Sequence, residues 1–393
     1  MKILVIAPQP FFTDRGTPIA VRAAVDTLGR DGHEIDLLTL FEGRDLSIPG
    51  VTIHRTSQPP FVRHVPVGLS WQKALSDLWL AASARRLIAA GRYDVIHGVE
   101  EGAILACALS AWSGVPFVYD MDSVMSAQIM DKSRLLWPLA RIMILLEKVT
   151  IRRSAGVLAV CPALAEVARK HQDDERVFLL PDTPLHEDMA AAKPAEEVRA
   201  IGGTRILYVG NLEKYQGVDL LLDAFVRLAK RDANAHLVIV GGSEAHIAEY
   251  ARSFAERDGG ERIHFLGPRP LEQLPSVLAA ADILVSPRLQ GINTPLKIDS
   301  YLASGRPVVA TRLVPHTQVL DEDVALLVDV DPDSMADGLG RLRADPELRC
   351  TLGAAGQKFV QAFFGRDRFE DRLRFFYSRL EEQLKRPSGD RHR

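Results

Sequence analysis

The chain has 393 residues, more than one hydrophobic core usually organises, because domains cluster near ~100–150 residues and rarely pass ~250–300 as a single core. Apolar residues make up 47% and charged residues 25%, the balance of a soluble globular protein, which excludes extensive disorder. With 48 Lys and Arg against 51 Asp and Glu the formal net charge is −3, so wholesale nucleic-acid binding is excluded and any anion site must be local.

In chain order, an apolar strand over Lys2–Ala7 comes first; it is too short for the core of a secretory leader, so none is expected. In the loop that follows, Gly16 would let the backbone approach a phosphate or another ligand ahead of a helix over Pro18–Leu28, with Thr17 as N-cap and Pro18 in the first turn. Plain turn geometry is the alternative, and because the spacing is not GxGxxG no dinucleotide cofactor is expected. A strand over Glu34–Leu40, a helix over Ser70–Ala90 and strands over Asp94–His97, Pro116–Asp120, Gly156–Val160 and Arg176–Leu180 complete a first series. Short β-branched runs alternating with helical patterns predict an α/β protein with doubly wound parallel sheets.

Two strand ends in this series carry acidic residues. Asp122, in Tyr119-Asp120-Met121-Asp122-Ser123, would accept hydrogen bonds from a ligand bound at the strand ends. Alternatively, Asp122 and Ser123 form an Asx-type turn that caps the next segment. Glu100 and Glu101 follow the Asp94–His97 strand and either face a ligand or complement the dipole of the following helix. Between Arg134 and Arg153, Leu135, Leu139, Ile142, Met143, Leu146 and Val149 recur at helical spacing beside a basic stripe of Arg134, Arg141, Lys148 and Arg152. Together with the aromatic and basic run Phe61–Lys73, this offers peripheral contact with an anionic membrane; the alternative is a helix that buries its apolar face in the core. The stretch Leu135–Ile151 carries Arg141, Glu147 and Lys148 and is too short for a membrane span.

Pro181 to Thr204 contains Pro181, Pro184, Pro194 and a glycine pair with weak apolar periodicity, the composition of an interdomain connection. The expected organisation is an N-terminal domain over 1–183, a connection over 184–203, a C-terminal domain over 204–365, and a helix with a frayed basic tail over 366–393 that packs back toward the N-terminal domain. The second series of strands runs Arg205–Val209, His236–Val240, Arg262–Leu266, Asp282–Ser286, Pro307–Ala310 and Ala325–Val328. Two such domains would bind ligands at the carboxyl ends of their strands, in a cleft between them. Cys107, Cys161 and Cys350 lack CxxC or Cys/His spacing, so neither a disulfide framework nor a metal site is expected, and the compartment is a reducing one.

The most informative segment runs from Ser286 to Ala310. It leaves a buried strand, crosses a polar loop and enters a helix with Thr294 as N-cap and Pro295 at the first helical position, closed by Gly305. A helix start offers unpaired N–H groups, and Arg288 and Lys297 add full positive charges, so a phosphate is expected there. A capped helix with two solvated cations is the alternative.

That segment, ending Ala303-Ser304-Gly305-Arg306-Pro307-Val308-Val309-Ala310, with Val209-Gly210-Asn211-Leu212 and Gly217-Val218-Asp219-Leu220-Leu221, resembles the donor domain of family 4 glycosyltransferases. The glycine loop Arg15-Gly16-Thr17 and Leu28-Gly29-Arg30-Asp31-Gly32-His33-Glu34 fit the same family. The resemblance covers nearly the whole chain and implies the GT-B fold, two Rossmann-like doubly wound domains facing a central cleft. It further implies transfer of a sugar from a nucleotide diphosphate sugar, with retention at the anomeric carbon and no required metal or other cofactor, to a glycan or lipid-linked acceptor. The diphosphate would lie over the Thr294 helix start against Arg288 and Lys297, which with Asp122 are the implied catalytic residues. Gly16, Thr17, Gly210, Asn211, Lys214, Gln216, Gly291, Asn293, Thr294, Asp299 and Ser300 would line the donor.

The chain departs from the family pattern in three places. Ile292 and Ser300 replace two glutamates separated by seven residues, with Asp299 beside the second, so the carboxylate that holds the ribose is missing or displaced. Asn211 and Gln216, with Lys214 between them, replace an arginine and a lysine that grip the diphosphate, and Asp122 replaces a histidine near the sugar. These changes sit in intact strand-loop-helix frames, as in a divergent subgroup of cytoplasmic hexosyltransferases of polysaccharide or glycolipid biosynthesis, associated with the inner face of the membrane. Two other readings are a non-catalytic GT-B subunit that binds sugar nucleotide or partners a transferase, and a GT-B phosphorylase or hydrolase.

Overall fold

The computed structural model describes residues 1–13, 16–66, 70–126, 129, 137–185 and 189–385. They form two compact units, one made of Met1–Pro181 and the chain from Phe369 onward, the other of Asp182–Arg368.

Strands β1 (Lys2–Ala7), β2 (Glu34–Thr39), β3 (Val51–Arg55), β4 (Val95–Val99), β5 (Phe117–Met121), β6 (Gly156–Ala159) and β7 (Val177–Leu179) build the first unit. All are parallel, in the order β3-β2-β1-β4-β5-β6-β7. Helices α1 (Gly16–Arg30), α2 (Trp71–Ala90), α3 (Gly102–Ser113), α4 (Trp137–Arg153) and α5 (Pro162–Arg169) connect them. Because the sheet is covered on both faces, β1 reads as one apolar run rather than an alternation. Successive side chains still diverge: Ile3 and Val5 pack with Val21, Val25 and Leu28 of α1, whereas Leu4 and Ile6 pack with Leu80 and Ala84 of α2. Strand β3 was not legible in the sequence, since Val-Thr-Ile-His-Arg lies half-exposed at the sheet edge and carries no apolar run.

The second unit has β8 (Thr204–Val209), β9 (Ala235–Val240), β10 (Ile263–Gly267), β11 (Ile283–Ser286), β12 (Val308–Thr311) and β13 (Leu326–Val328), parallel in the order β10-β9-β8-β11-β12-β13. Its main helices are α6 (Val218–Arg231), α7 (Glu244–Phe254), α8 (Leu274–Ala279), α9 (Lys297–Ala303), α10 (Pro332–Ala344) and α11 (Pro346–Phe363). The last helix, α12 (Arg366–Lys385), places Phe369, Leu373, Phe376 and Leu380 in the core of the first unit, on the α1 side of its sheet.

Three sequence expectations are corrected. Helix α9 begins at Lys297, not at Pro295, because the chain enters it through a tight turn in which Ile298 N–H donates to Pro295 O at 2.9 Å. Thr294 is therefore not its N-cap; the hydroxyl is sealed inside with no hydrogen-bond partner. Helix α1 already includes Gly16, so Thr17 lies within its first turn rather than capping it.

The third correction concerns α4, which buries Ala140, Glu147, Thr150 and Ile151 and turns Trp137, Leu139, Ile142, Ile144, Leu145 and Leu146 outward. Glu147 is directed inward because it accepts hydrogen bonds from the Ser126 backbone N–H (3.1 Å) and hydroxyl (2.6 Å). Its apolar stripe is thus mostly a surface, with Ile142 58% and Leu145 60% exposed. Arg134 and Leu135, like the tail from residue 386, lie outside the described residues.

Candidate diphosphate site

Open parallel sheets bind ligands outside the carboxyl ends of the two strands between which the winding direction reverses. In the second unit that reversal falls between β8 and β11, whose following residues are Gly210-Asn211 and Pro287-Arg288. The two loops are stitched together: Leu289 N–H donates to Tyr215 O at 2.9 Å, and Lys297 Nζ donates to Gln216 Oε1 at 3.1 Å. Sequence order alone separates these groups by 81 positions; the strand order brings them together.

Arg288 is only 8% exposed. Its guanidinium donates through Nε to Gln290 O (2.7 Å) and through Nη2 to Asn293 Oδ1 (3.1 Å), and lies 5.4 Å from the Tyr215 ring centre. Gly291 takes φ +107° against it, where a β-carbon would sit 2.7 Å from Nη2. Lys297 Nζ lies 4.1 Å from the Tyr208 ring centre, and a β-carbon on Gly210 would fall 2.8 Å from that Nζ. Glycine at both positions therefore keeps the backbone open beside the two cations. Burial, then the neighbouring Arg288 charge, pushes the Lys297 ammonium down to about 7.

A buried chain of hydrogen bonds fixes Arg288 from behind. His316 Nδ1 lies 2.7 Å from Thr311 O, which can only accept, so Nδ1 carries the proton and Nε2 accepts from Ser286 Oγ at 2.9 Å. Thr311 Oγ1 donates in turn to Arg288 O at 2.6 Å. Burial, with the charges of Arg288 and Lys297 adding to it, pushes His316 down to about 4 and keeps it neutral. Neither His316 nor the aromatic pair Tyr208 and Tyr215 was singled out in the sequence; their signal lies in the strand order, not in local spacing.

Other expected donor residues are distributed less evenly. Asn211 and Lys214 are exposed at the rim, Asn211 Nδ2 donating to Tyr215 OH at 3.5 Å, and Gln216 is buried beneath Lys297. Ser300 is wholly buried and its Oγ accepts from Leu185 N–H at 3.1 Å, so it is not open to a ribose. Asp299, 3% exposed, has an Oδ1 without a partner, and burial, with the Asp182 charge second, raises its carboxyl well above the ordinary range. Ile292 serves through its backbone, O accepting from Gln318 Nε2 at 2.8 Å.

The first unit has its own reversal, between β1 and β4. Gln9 follows β1 and Glu100 follows β4, and Gln9 Nε2 donates to Glu100 Oε2 at 2.6 Å. Ser123 Oγ, two residues past β5, donates to Glu100 Oε1 at 3.0 Å, so Ser123 serves Glu100. Glu100 holds φ +48° there, and burial followed by the charge of Glu101 pushes its carboxyl up to about 7. Glu101 instead pairs with Lys73 at 2.7 Å. Asp122, half-buried, stands between β5 and Ser123, and Gly16 and Thr17 open α1 after the β1 loop.

Residues 15–182 match the family model described as Glycosyltransferase Family 4, and residues 203–345 match that described as Glycosyl transferases group 1. The chain belongs to these glycosyltransferases. It is 31% identical over 164 residues to a D-inositol 3-phosphate glycosyltransferase of Corynebacterium diphtheriae, a stretch covering 40% of this chain and 38% of the relative. The chain thus spans about two fifths of the length of the corynebacterial relatives it matches. Over 372 residues it is 25% identical to the phosphatidyl-myo-inositol mannosyltransferase of Mycolicibacterium smegmatis, covering 92% of this chain and 90% of that protein. Among solved structures, sucrose-phosphate synthase from Thermosynechococcus elongatus matches with a TM-score of 0.82 at 20% identity, over 97% of this chain and 99% of that one. Anabaena HepE in complex with UDP-glucose matches with a TM-score of 0.72 at 16% identity, over 96% and 100%. The fold is GT-B, two Rossmann-like α/β domains.

Proposed function

We propose that the protein is a retaining glycosyltransferase that moves a hexose-like sugar from a nucleotide diphosphate sugar to a glycan or lipid-linked acceptor. The observation that carries this reading is the pairing of Arg288 and Lys297 at the β8–β11 reversal, with the backbone held open by Gly210 and Gly291. In glycosyl transfer negative charge develops on the departing diphosphate, and preorganised cations aimed at it stabilise the transition state. Arg288 and Lys297 fill that role, which leaves no requirement for a metal. Asp122 and Glu100 offer acceptors for sugar hydroxyls at the strand ends of the first unit. The relatives' names and the UDP-glucose complex of a neighbour support a sugar-nucleotide donor.

The finer reading places the enzyme on the cytoplasmic face of a membrane, and α4 supports it. At ~100° per residue, Leu139, Ile142, Leu145 and Leu146 share an outward strip of roughly 120°, and Arg141, Lys148 and Arg152 share an adjoining one of roughly 40°. Trp137, with Arg141 4.8 Å from its ring centre, opens the helix. An outward apolar strip edged by cations fits an anionic bilayer surface. No helix among the described residues is long and apolar enough to cross a membrane.

Turnover assays with UDP-, GDP- and ADP-sugars, against lipid extracts and soluble glycans, test the activity. Release of nucleoside diphosphate that depends on an acceptor supports it. Tight sugar-nucleotide binding without turnover on any acceptor would instead indicate a non-catalytic subunit.

A further inference from the structure

We propose that donor binding in the β8–β11 crevice is coupled to proton uptake: above neutral pH Lys297 is mainly the neutral amine in the free protein and becomes the ammonium as the diphosphate arrives. The inference rests on the diphosphate reading of this crevice and extends it to how the site is regulated by pH.

The geometry supplies Lys297 with everything except a counter-charge. Its Nζ meets the neutral amide oxygen of Gln216 and the face of Tyr208, and no carboxylate pairs with it among the described residues. The groups around it are cationic or uncharged. Arg288, from the loop after β11, carries a full positive charge, while His316 is neutral. Tyr208 on β8 is held in its phenol form by burial. Asp299, two residues further along α9, is buried and raised toward its protonated form. A buried amine beside a guanidinium and without an acid is disfavoured as the cation, and the Lys297 value of about 7 agrees with that geometry.

A diphosphate diester brings two negative charges to this amine. An opposite charge within ~4–6 Å favours the ammonium by ~1–3 pKa units, enough to reverse the effect of burial. A proton then passes from the buffer to Nζ; only that N–H bond forms, and the diphosphate itself, being a diester, exchanges no proton near neutrality. Linkage fixes the sign: affinity is greatest where the free amine is already protonated and falls as pH rises above about 7, by up to ~10-fold per pH unit.

The test is calorimetric titration with UDP-glucose, or GDP-mannose or ADP-glucose where that does not bind, in Tris and in HEPES. The difference in observed heat between buffers of different ionisation enthalpy gives the proton count. Uptake approaching one proton at pH 8 that shrinks toward pH 6, and that disappears in Lys297→Arg while binding persists, is the expected result. Arg288→Gln provides a second variant: removing the neighbouring charge lets Lys297 protonate before binding, so uptake at pH 8 falls. Binding without uptake at any pH, or full uptake in Lys297→Arg, overturns the proton coupling and leaves the donor reading standing. Absence of binding by every sugar nucleotide overturns both.

Discussion

The side-chain oxygen of Ser300 accepts a 3.1 Å hydrogen bond from the backbone N–H of Leu185. At a position where the family pattern sets a carboxylate for the ribose, this chain therefore has a wholly buried hydroxyl that moors residue 185 onto α9. Ser300 is thus part of the packing of the unit, and under the proposed function donor recognition would fall more heavily on the diphosphate side of the crevice.

Ser300→Ala should leave nucleotide affinity unchanged and lower stability by ~1–3 kcal/mol, because it strands a buried N–H. Ser300→Glu should fail to create a ribose contact and should destabilise more, since a carboxylate would enter a fully buried position. Urea unfolding and calorimetric titration with a nucleoside diphosphate separate the two effects.

Arg288→Ala or Lys297→Ala should weaken binding of a nucleoside diphosphate by ~10–100-fold while changing binding of the parent nucleoside little, since each removes a charge-assisted contact. Titrations of the matched pair, for instance UDP and uridine, measure the difference. An equal loss for both ligands would remove the diphosphate from this end of the crevice.

Much of this arrangement was legible in the sequence, and the parts that were not share a cause. The strands β8, β9 and β11 announce themselves because parallel strands covered on both faces are continuous apolar runs. Arg288 and Lys297 stand out as cations in a strand-loop-helix frame. What local spacing does not encode is the tertiary partner: Gln216 beneath Lys297 and His316 behind Arg288 are set by strand order, and Leu185 on Ser300 by the path of the chain back onto α9. The start of α9 escaped for a different reason, because Thr294-Pro295 has the residue types of a helix start but here forms a turn ahead of it. The apolar stripe of α4 was visible, yet its direction depends on Glu147 being drawn inward by Ser126.

Leu145→Glu with Ile142→Glu should abolish sedimentation with vesicles containing phosphatidylglycerol while preserving the folded state, because both side chains are already exposed. Arg141→Glu should weaken the same binding in proportion to the anionic lipid fraction, and raised salt should mimic it. Unchanged vesicle binding in both variants would show that α4 is not the docking surface.

Asp122→Asn should lower turnover with little change in sugar-nucleotide affinity if the carboxylate serves the sugar during transfer. Its neighbour Ser123 serves Glu100, and Glu100→Gln should move the acidic limb of the pH profile, since that carboxyl titrates near about 7. Initial rates between pH 5.5 and 8.5 distinguish the two: a uniform fall for the first variant, a change of profile shape for the second.

Asp299 offers a test of stability rather than catalysis. Its carboxyl is raised by burial and by the Asp182 charge, so the folded state holds a proton that the unfolded chain releases above its ordinary value of ~3.9. The sign follows: stability associated with this group is fully present below that ordinary value and is lost progressively as pH rises toward the folded-state value. Asp299→Asn keeps the shape and removes the titration. The variant should therefore match the wild type in urea midpoint near pH 4 and exceed it increasingly as pH rises toward 8. A constant difference at all pH values would mean that Asp299 titrates in the fold as it does in the unfolded chain, and would overturn the buried, protonated carboxyl.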